Sequence, residues 1–491
     1  MMHEPEKSDS AIVAGKLANK IAVSKAVAEL VEPRAGTKGN TEQSHTRRTQ
    51  CRGSVSQRLE RVRNAARQRK KEKFTALLHH IDEELLLESF LALKRHASAG
   101  VDKVTWEDYD AQLQENLQDL HKRVQSGAYR ALPVRRVFIP KADCRKRPLG
   151  IAALEDKIVQ RATVAVLNAI YEEDFLGFSY GFRPKRGQHD ALDALSVAIS
   201  NTSVNWILDA DIKGFFDAVD QQWLIRFLEH RIGDERITRL VKKWLKAGVL
   251  EEGQWQSSDM GTPQGAVISP LLANIYLHYV FDLWVRQWRK REAKGNVIVV
   301  RYADDIVAGF ELETDARRFW DAMRERFEQF GLELHGEKTR LIEFGRFAAD
   351  RRKKRGQGKP ETFTFLGFTF ICGKSRLGNF LLWRKTRADR MSAKLVEVRK
   401  QMRKRMHHTI PEQGEWLEAV VRGFNAYYAV PTNSRAIGAF RYHVVEIWLK
   451  SLRRRSQKYK LTWERMLKLA AAWLPTPRIL HPWPQQRFAV K

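Results

Sequence analysis

The stretch VIVVRYADDIVAGF, residues 297–310, constrains the fold more than any other part of the chain. Strand-forming residues lead into two adjacent aspartates, Asp304 and Asp305, and more strand-forming residues follow, so the pattern predicts a β-hairpin with acids at its tip. Adjacent carboxylates repel each other, and Asp is a poor strand residue. Two interpretations are open: a solvated turn held by the Asp side chains, or a divalent-cation site in which the metal relieves the repulsion.

A second acid of the same kind lies in LDADIKGFFD, residues 208–217. Asp211 ends an apolar segment with strand character, where a carboxylate is costly unless it is paired or bound to metal. Two-metal phosphoryl transfer needs acids from separate elements that converge on two cations. Asp209 would face the same side of an ideal strand, so the residues alone do not choose between Asp209 and Asp211.

Charge and cysteine content indicate which binding partners and which cellular compartment fit this chain. The formal net charge of +29 is spread along the 491 residues, which indicates a long polyanion, and nucleic acid is the favoured partner. No stretch approaches 18 uninterrupted apolar residues, so no membrane partner is expected. The isolated Cys51, Cys144 and Cys372 predict neither a disulfide framework nor a Cys-pair zinc site, and they fit a reducing, intracellular compartment. The polar first residues do not predict a secretory signal.

Three motifs, DIKGFF, GTPQG and YADD, follow one another in that order, and further segments accompany them between about residues 75 and 450. These segments are AGVDKVTWEDY, IPKADCRKRPLGIAALEDKIVQRA, SYGFRPKRGQHDAL, GLELHGEKT, FTFLGFTF and RGFNAYY. In all of them the chain resembles the bacterial group II intron-encoded reverse transcriptase/maturases. The resemblance favours the cation site over the solvated turn. It implies an α+β right-hand polymerase, with the fingers and palm of the reverse transcriptase fold and then an α-helical thumb called domain X.

The resemblance and the composition together predict a domain order. The predicted segments are a disordered leader (1–55), a basic helical extension of the fingers (56–135), fingers and palm (136–383), the helical thumb (384–450) and a short basic DNA-binding tail (451–491). The basic run at 56–73 fits a solvated helix face as well as a nucleic-acid contact. The pattern predicts a helix over 77–96, a basic linker at 350–360 and a strand at 363–370. No pattern assigns a fold to the tail.

The resemblance also implies a metal site and its ions. Asp211, Asp304 and the backbone carbonyl of Ile212 would hold two Mg²⁺ ions, for which Mn²⁺ could substitute. Asp305, beside them, would be a ligand neighbour or an electrostatic contributor. Lys338 in HGEKT resembles the lysine that protonates the pyrophosphate leaving group.

Further residues would bind the incoming nucleotide. Phe216 occupies the steric-gate position, where an aromatic ring excludes a 2′-hydroxyl, and Gln264 would line the nucleotide pocket. Lys141 and Arg147 match the fingertip cations that contact the triphosphate. For each of these cations, and for Lys338, an ordinary solvated surface charge is the alternative.

The function implied is that of an RNA-directed DNA polymerase encoded by a group II intron. It would copy intron RNA into cDNA during retromobility and bind that RNA as a maturase to assist splicing. The implied partners are intron RNA, an RNA template with a DNA primer or target DNA, and dNTPs, in the bacterial cytoplasm near the nucleoid. Two alternatives remain: an RNA-binding splicing factor with a vestigial polymerase, which the intact acids disfavour, and an intron-derived defence or repair reverse transcriptase.

One departure from many relatives concerns the C-terminus. Those relatives carry an HNH nuclease with paired cysteines and histidines, whereas the last cysteine here is Cys372 and the C-terminal histidines lack metal-ligand spacing. The nuclease is therefore expected to be absent. Second-strand cleavage of target DNA is then in doubt, and priming from a pre-existing 3′ end is expected.

Overall fold

The computed structural model describes residues 45–140, 146–251, 254–256, 260–262, 265–455 and 461–487. Side chains are described from Val55 onward, except those of Pro140, Lys146 and Arg147. The predicted leader before residue 45 and the predicted site residues Lys141 and Gln264 lie outside this part of the chain.

Helices make up most of the described chain. In chain order they are α1 (His45–Gln68), α2 (Glu83–Leu91), α3 (Trp106–Asp110), α4 (Leu113–Ser126), α5 (Leu154–Asp174), α6 (Gln188–Asn201), α7 (Phe215–Ala218), α8 (Gln221–Arg231), α9 (Glu235–Lys246), α10 (Ser269–Leu277), α11 (Leu283–Arg291), α12 (Glu313–Glu328), α13 (Ala348–Lys354), α14 (Ala388–Lys404), α15 (Ile410–Tyr428), α16 (Ser434–Arg453), α17 (Trp463–Trp473) and α18 (Pro484–Arg487). A 3₁₀ turn spans Leu78–His80, and a π-helical segment, His278–Asp282, joins α10 to α11.

The strands form three sheets. They are β1 (Val134–Pro140), β2 (Lys146–Ile151), β3 (Trp206–Asp211), β4 (Val249–Glu251), β5 (Gln254–Gln256), β6 (Val297–Tyr302), β7 (Asp305–Phe310), β8 (Arg340–Glu343), β9 (Phe363–Phe365), β10 (Phe368–Lys374) and β11 (Phe380–Thr386). The strand orders are β2-β1-β4-β5, β6-β7-β3-β8 and β11-β10-β9. The chain is therefore a mixed α/β protein in which most elements share one extended apolar core, while Val134, Ala152 and Val249 form a separate small cluster.

The β6-β7-β3-β8 sheet is antiparallel throughout and carries the predicted acids. The residues of β6 and β7 are buried on both faces except at the hairpin tip, which explains the near-continuous apolar sequence around the two aspartates. Helices α6 and α12 pack against this sheet. The predicted hairpin is confirmed, and its tip lies at the edge of the packed region.

The N-terminal helices differ from the prediction in their bounds. Helix α1 begins at His45, inside the segment predicted to be a disordered leader, and it buries Val55, Val62 and Ala66 in the core. The predicted helix over 77–96 is wrong as one element. It is a 3₁₀ turn followed by α2, because the Asp82 side chain accepts a hydrogen bond from the Leu85 amide and so starts a new helix.

Two further predictions are wrong, and contacts between distant segments explain both. FTFLGFTF is not one strand but the hairpin β9–β10, since Leu366 and Gly367 take left-handed φ values of 46° and 79° between the strands. The Tyr427 hydroxyl donates to the Leu366 carbonyl at 2.8 Å and holds this turn against α15. The basic segment at 350–360 is partly helix α13, because the buried Glu343 carboxylate pairs with Arg351 and Arg355.

The C-terminal third is helical from Ala388 onward. The predicted boundary at residue 384 falls inside β11, so a strand leads directly into the helices. Phe424 of α15 is buried and stacks on Phe440 of α16, with ring centroids 3.7 Å apart, as expected for a core stripe. Helix α17, in the tail left unassigned by the sequence, packs on α15 and α16. Among the described residues, no helix is both long and apolar enough to cross a membrane.

Candidate active site

Strand pairing brings the two predicted acidic motifs together. Asp211 ends β3 and lies directly opposite Asp305, the first residue of β7. Asp304 lies beside them in the two-residue turn between β6 and β7. Directly opposed residues of an antiparallel pair have Cβ atoms about 5 Å apart. Three carboxylates from two distant segments therefore share one edge of the sheet.

Negative charge is concentrated at this edge. The pKa of Asp305 is raised to about 7, first by burial and then by the carboxylates of Asp304, Asp211 and Asp209, while Lys338 opposes the shift. The Asp305 residue keeps contact with solvent, yet protein surrounds its carboxyl group closely enough for burial to be the largest cause. The site thus has an excess of carboxylates over cations.

Among the described residues, Lys338 forms an ion pair with one of these acids. Its Nζ atom lies 2.6 Å from Oδ2 of Asp211, and its side chain is still 54% exposed. The His335 amide donates to the Asp211 carbonyl at 2.8 Å, which fixes the HGEKT segment beside the end of β3. The structure therefore brings Lys338 to Asp211, although these two residues are 127 positions apart in the sequence.

The structure separates the two acids that the sequence left open. Asp209 pairs in register with Val307 rather than with an acid, and its carboxylate lies 3.9 Å from the Arg340 guanidinium. The pKa of Asp209 is raised to about 6, mainly by burial, although the Arg340 guanidinium opposes the shift. Asp211, at the strand end, is the acid that faces Asp305.

The residue after Asp211 also offers a backbone carbonyl oxygen. Ile212 forms an antiparallel bridge with Leu334, but the hydrogen bonds of that bridge come from the neighbouring residues: Lys213 N–H donates to the Glu333 carbonyl at 2.9 Å. The bridge therefore leaves the Ile212 carbonyl unused. Carboxylates and carbonyls are the donors that hard divalent cations such as Mg²⁺ prefer.

These donors are chemically suited to a cation but are not gathered into a closed site. In the part of the chain that the structure describes, no three His, Cys, Asp or Glu side chains are grouped to hold a metal ion by themselves. One Asp211 oxygen is bound to Lys338. The geometry fits an open site, in which substrate oxygens would supply the remaining ligands.

Phe216 lies in the short helix α7, just beyond the acids. Phe215 is buried, whereas Phe216 is half-buried and meets the Phe182 ring edge-on at 6.4 Å between centroids. The Thr262 amide donates to the Phe216 carbonyl at 2.7 Å. A Cβ atom on Gly261 would lie 2.8 Å from that carbonyl, so only glycine allows this approach. The start of the GTPQG loop therefore packs on α7.

The same loop also contacts the β1–β2 hairpin. A Cβ atom on Gly265 would lie 2.5 Å from the Gly150 carbonyl of β2. Arg147 pairs through its backbone with Ile139 in this hairpin, but its side chain is outside the described set. The two described ends of the GTPQG loop, Gly261 and Gly265, thus contact α7 and β2 respectively.

The sequence did not single out the residues behind the acidic turn. Arg301, the residue before Tyr302 in RYADD, is wholly buried and pairs with Asp282. Gly181 of SYGFRP packs on the turn so closely that a Cβ atom would lie 2.2 Å from the Ala303 amide nitrogen. A signal was present, since a charged residue inside an otherwise apolar strand requires a partner.

The basic segments divide into two kinds. In α1, Arg58 pairs with Asp82 and Glu84, and Arg67 lies 3.0 Å from Glu173, so part of this charge is used within the protein. In α14 a run of basic side chains is exposed: Arg399, Lys400, Arg403 and Lys404. Exposed basic surface is therefore present on α14 and also in the N-terminal segment, where Arg61, Arg69, Lys70, Lys71 and Lys73 are exposed.

Comparison with known proteins finds a matching protein family and several similar chains. Residues 139–370 match the family described as reverse transcriptase (RNA-dependent DNA polymerase). The chain is 34% identical to protein YkfC of Escherichia coli over 320 residues, which are 59% of this chain and 80% of YkfC. It is 36% identical over 235 residues to the group II intron-encoded protein LtrA of Lactococcus lactis subsp. cremoris, covering 48% of this chain and 39% of LtrA. An uncharacterized 91 kDa protein in the cob intron of Schizosaccharomyces pombe is 35% identical over 275 residues, covering 55% of this chain and 34% of that protein.

Proposed function

The chain belongs to the reverse transcriptase family of the group II intron-encoded proteins, which are RNA-directed DNA polymerases, and we propose that it copies the RNA of its own intron into cDNA. The observation that carries this proposal is the register of β3 and β7, which sets Asp211 opposite Asp305 beside Asp304. The chain spans less than half of LtrA, so the activity of the whole relative is part of the proposal.

Reverse transcriptases use divalent metal ions, and we propose that Asp211, Asp304 and the Ile212 carbonyl hold Mg²⁺ here, with Mn²⁺ as a substitute. Such ions stabilise the attacking and leaving oxygens of an in-line displacement. Asp305 contributes negative potential next to these ligands. Lys338, whose Nζ atom lies 2.6 Å from Asp211, would give its proton to the departing pyrophosphate.

The incoming dNTP would lie between α7 and the β1–β2 hairpin. The contacts of Gly261 with α7 and of Gly265 with β2 support this proposal, since they bring the two ends of the GTPQG loop to these elements. Phe216 would then exclude a 2′-hydroxyl, and Gln264 would line the pocket. Lys141 and Arg147 would bind the triphosphate from the hairpin.

We further propose that helices α14–α16 act as the thumb and bind intron RNA for splicing. A net charge of +29 and the exposed basic side chains of α14 support a nucleic-acid partner. RNA helices present phosphates and 2′-hydroxyls in a wide, shallow groove, which a basic helical surface can contact without reading bases.

The test replaces the acids one at a time. Asp211→Ala and Asp304→Ala should each reduce Mg²⁺-dependent primer extension on an RNA template to background, because each removes a cation ligand. RNA affinity, measured by fluorescence anisotropy, should stay within about twofold, since it is spread over many basic residues. Asp321→Ala, which removes an exposed carboxylate on α12, is the matched control and should extend primers normally. Wild-type extension by either acid variant would refute the proposal.

A further inference from the structure

Arg301 and Asp282 form an ion pair with no solvent exposure on either side chain. Nε of Arg301 donates to Asp282 at 2.7 Å and Nη2 donates to the second carboxylate oxygen at 2.5 Å. Taking two charges fully out of water is costly, and such a pair is weak evidence of a purely stabilising role. The other contacts of the Arg301 guanidinium therefore indicate what the pair does.

The remaining guanidinium hydrogens reach the acidic turn and its support. Nη1 donates to the Ala303 carbonyl and to Oδ1 of Asn274, both at 3.1 Å, and Nη2 donates to the Ser179 hydroxyl at 2.7 Å. With the two bonds to Asp282, all five guanidinium N–H groups have an acceptor. Ala303 immediately precedes Asp304, so one of these bonds fixes the peptide that carries the acid.

The turn itself needs such a restraint. Ala303 has φ of 57°, a left-handed conformation that is strained for a non-glycine residue. Gly181 packs against the Ala303 amide. The Asn274 side-chain amide donates to the Gly181 carbonyl at 2.7 Å. The Tyr180 amide also donates to the Arg301 carbonyl at 2.8 Å. Arg301 thus contacts both the strained turn and the segment that supports it.

Asp282 reaches Arg301 from an unusual backbone segment. It is the last residue of the π-helical segment His278–Asp282, which interrupts a long apolar helix. Such widened turns are rare and occur frequently at functional sites. Here the interruption places a buried carboxylate opposite the guanidinium, in a stretch whose other buried residues are largely apolar.

We propose that Arg301 is a positioning residue for metal binding: by holding the Ala303–Asp304 turn in its left-handed conformation, it sets Asp304 to bind the catalytic cation. This rests on the function proposed above. Lysine would keep the charge, but it offers three donors on a flexible chain in place of five in a fixed plane. Arg301→Lys should therefore preserve most of the fold and loosen the turn.

Two measurements other than enzymatic activity test whether Arg301 positions Asp304. The first is Mn²⁺ binding, followed by electron paramagnetic resonance on the protein bound to an RNA template, a chain-terminated DNA primer and the matching dNTP, with Asp304→Ala as the background. Removal of groups that orient metal ligands typically weakens affinity by about 10–100-fold, and Arg301→Lys should fall in that range. The second is hydrogen exchange, which should accelerate in the 302–306 peptide.

The matched control is Arg231→Lys. Arg231 is also buried, with its guanidinium 2.7 Å from Asp174 and bonded to the Arg69 carbonyl at 2.8 Å, but it lies away from the turn. It should lose comparable stability, keep wild-type Mn²⁺ affinity and show faster exchange only near its own contacts. If Arg301→Lys does not fold, Ser179→Ala removes a single bond from Nη2, keeps the ion pair and should weaken Mn²⁺ binding severalfold.

The outcomes separate the two proposals. If Asp304→Ala extends primers normally, the proposed function fails. If Asp304→Ala is inactive but Arg301→Lys, or Ser179→Ala in its place, matches the Arg231→Lys control in Mn²⁺ affinity and in exchange at 302–306, only the positioning role is refuted. Weaker Mn²⁺ binding with faster exchange at the turn supports it.

Discussion

At the scale of single residues, the environment of Phe216 gives its proposed role a concrete form. Its ring is half-buried and contacts the rings of Phe182 and Phe215, while the neighbouring Phe215 is buried in the core. A ring that keeps an exposed face beside the acids can contact a nucleotide sugar, whereas a core ring cannot. The structure therefore distinguishes two adjacent phenylalanines that sequence spacing alone barely separates.

Replacing Phe216 by Val or Ala should raise ribonucleotide incorporation relative to deoxyribonucleotide incorporation, because the smaller side chain leaves room for a 2′-hydroxyl. Competition between matched rNTP and dNTP in a primer-extension assay measures the ratio. Phe227→Leu, a half-buried ring on α8 that stacks on Tyr279, is the control and should leave the ratio unchanged. Unaltered sugar discrimination in the Phe216 variants would place the gate elsewhere, with Phe215 as the next candidate.

At the scale of elements, helix α14 has two distinct faces. Val398 and Met402 are buried where α14 packs on α16, and the basic residues that follow them point to solvent. Arg405, just beyond the helix, lies over the Trp416 ring at 4.7 Å and so has a packing role. A surface that binds RNA phosphates would use the exposed set and not Arg405.

Changing Arg399, Lys400, Arg403 and Lys404 together to Gln should flatten the salt dependence of intron RNA binding. Each lost phosphate contact reduces the slope of log affinity against log salt by about 0.7–0.9, so the slope should become shallower by about 3. Splicing assistance should fall with it. Primer extension on a short template should suffer less, because the acids and the β1–β2 hairpin lie on other elements.

The control for this change carries the same loss of charge on a different element. Arg352, Lys353, Lys354 and Lys359, in and after α13, can be changed to Gln together. An unchanged salt slope in the α14 variant, or complete loss of extension with normal splicing, would mean that α14 contacts only the primer–template duplex.

At the scale of the whole molecule, a buried ion cluster joins segments from three parts of the chain. Asp193 of α6 lies 2.6 Å from Arg384 of β11 and 3.2 Å from Arg487 of α18. Burial raises the pKa of Asp193, while the two arginines lower it. His481 stacks on His189 next to this cluster, with ring centroids 3.9 Å apart. The C-terminal segment is thereby anchored to the body of the protein.

Asp193→Ala should destabilise the protein strongly, because it leaves Arg384 buried without its partner. Removing one member of a buried pair costs about 3–5 kcal/mol, measurable as a lower midpoint of thermal unfolding and faster proteolysis near the C-terminus. Glu464→Ala breaks the exposed pair with Lys468 and should change stability by less than about 1 kcal/mol. Equal effects of the two substitutions would show that the cluster adds nothing to stability.

The sequence by itself determined the class of protein and the local elements of the site. The apolar run around Asp304 and Asp305 predicted the hairpin, and the order of DIKGFF, GTPQG and YADD identified the reverse transcriptase family. These signals are short-range, because strand alternation, turn residues and motif order can all be read along the chain.

Only the tertiary structure decided which residues meet. Asp211 rather than Asp209 lies opposite Asp305 because of the register of β3 against β7, and a shift of two residues would put Asp209 there instead. Arg301 and Asp282 form a pair because a strand packs against a π-helical segment. Helix α13 is stabilised because Arg351 and Arg355 both pair with the buried Glu343 carboxylate. Such contacts join residues that are far apart in the sequence, so no local pattern could reveal them. A buried charge is stable only where the fold supplies a partner of opposite charge.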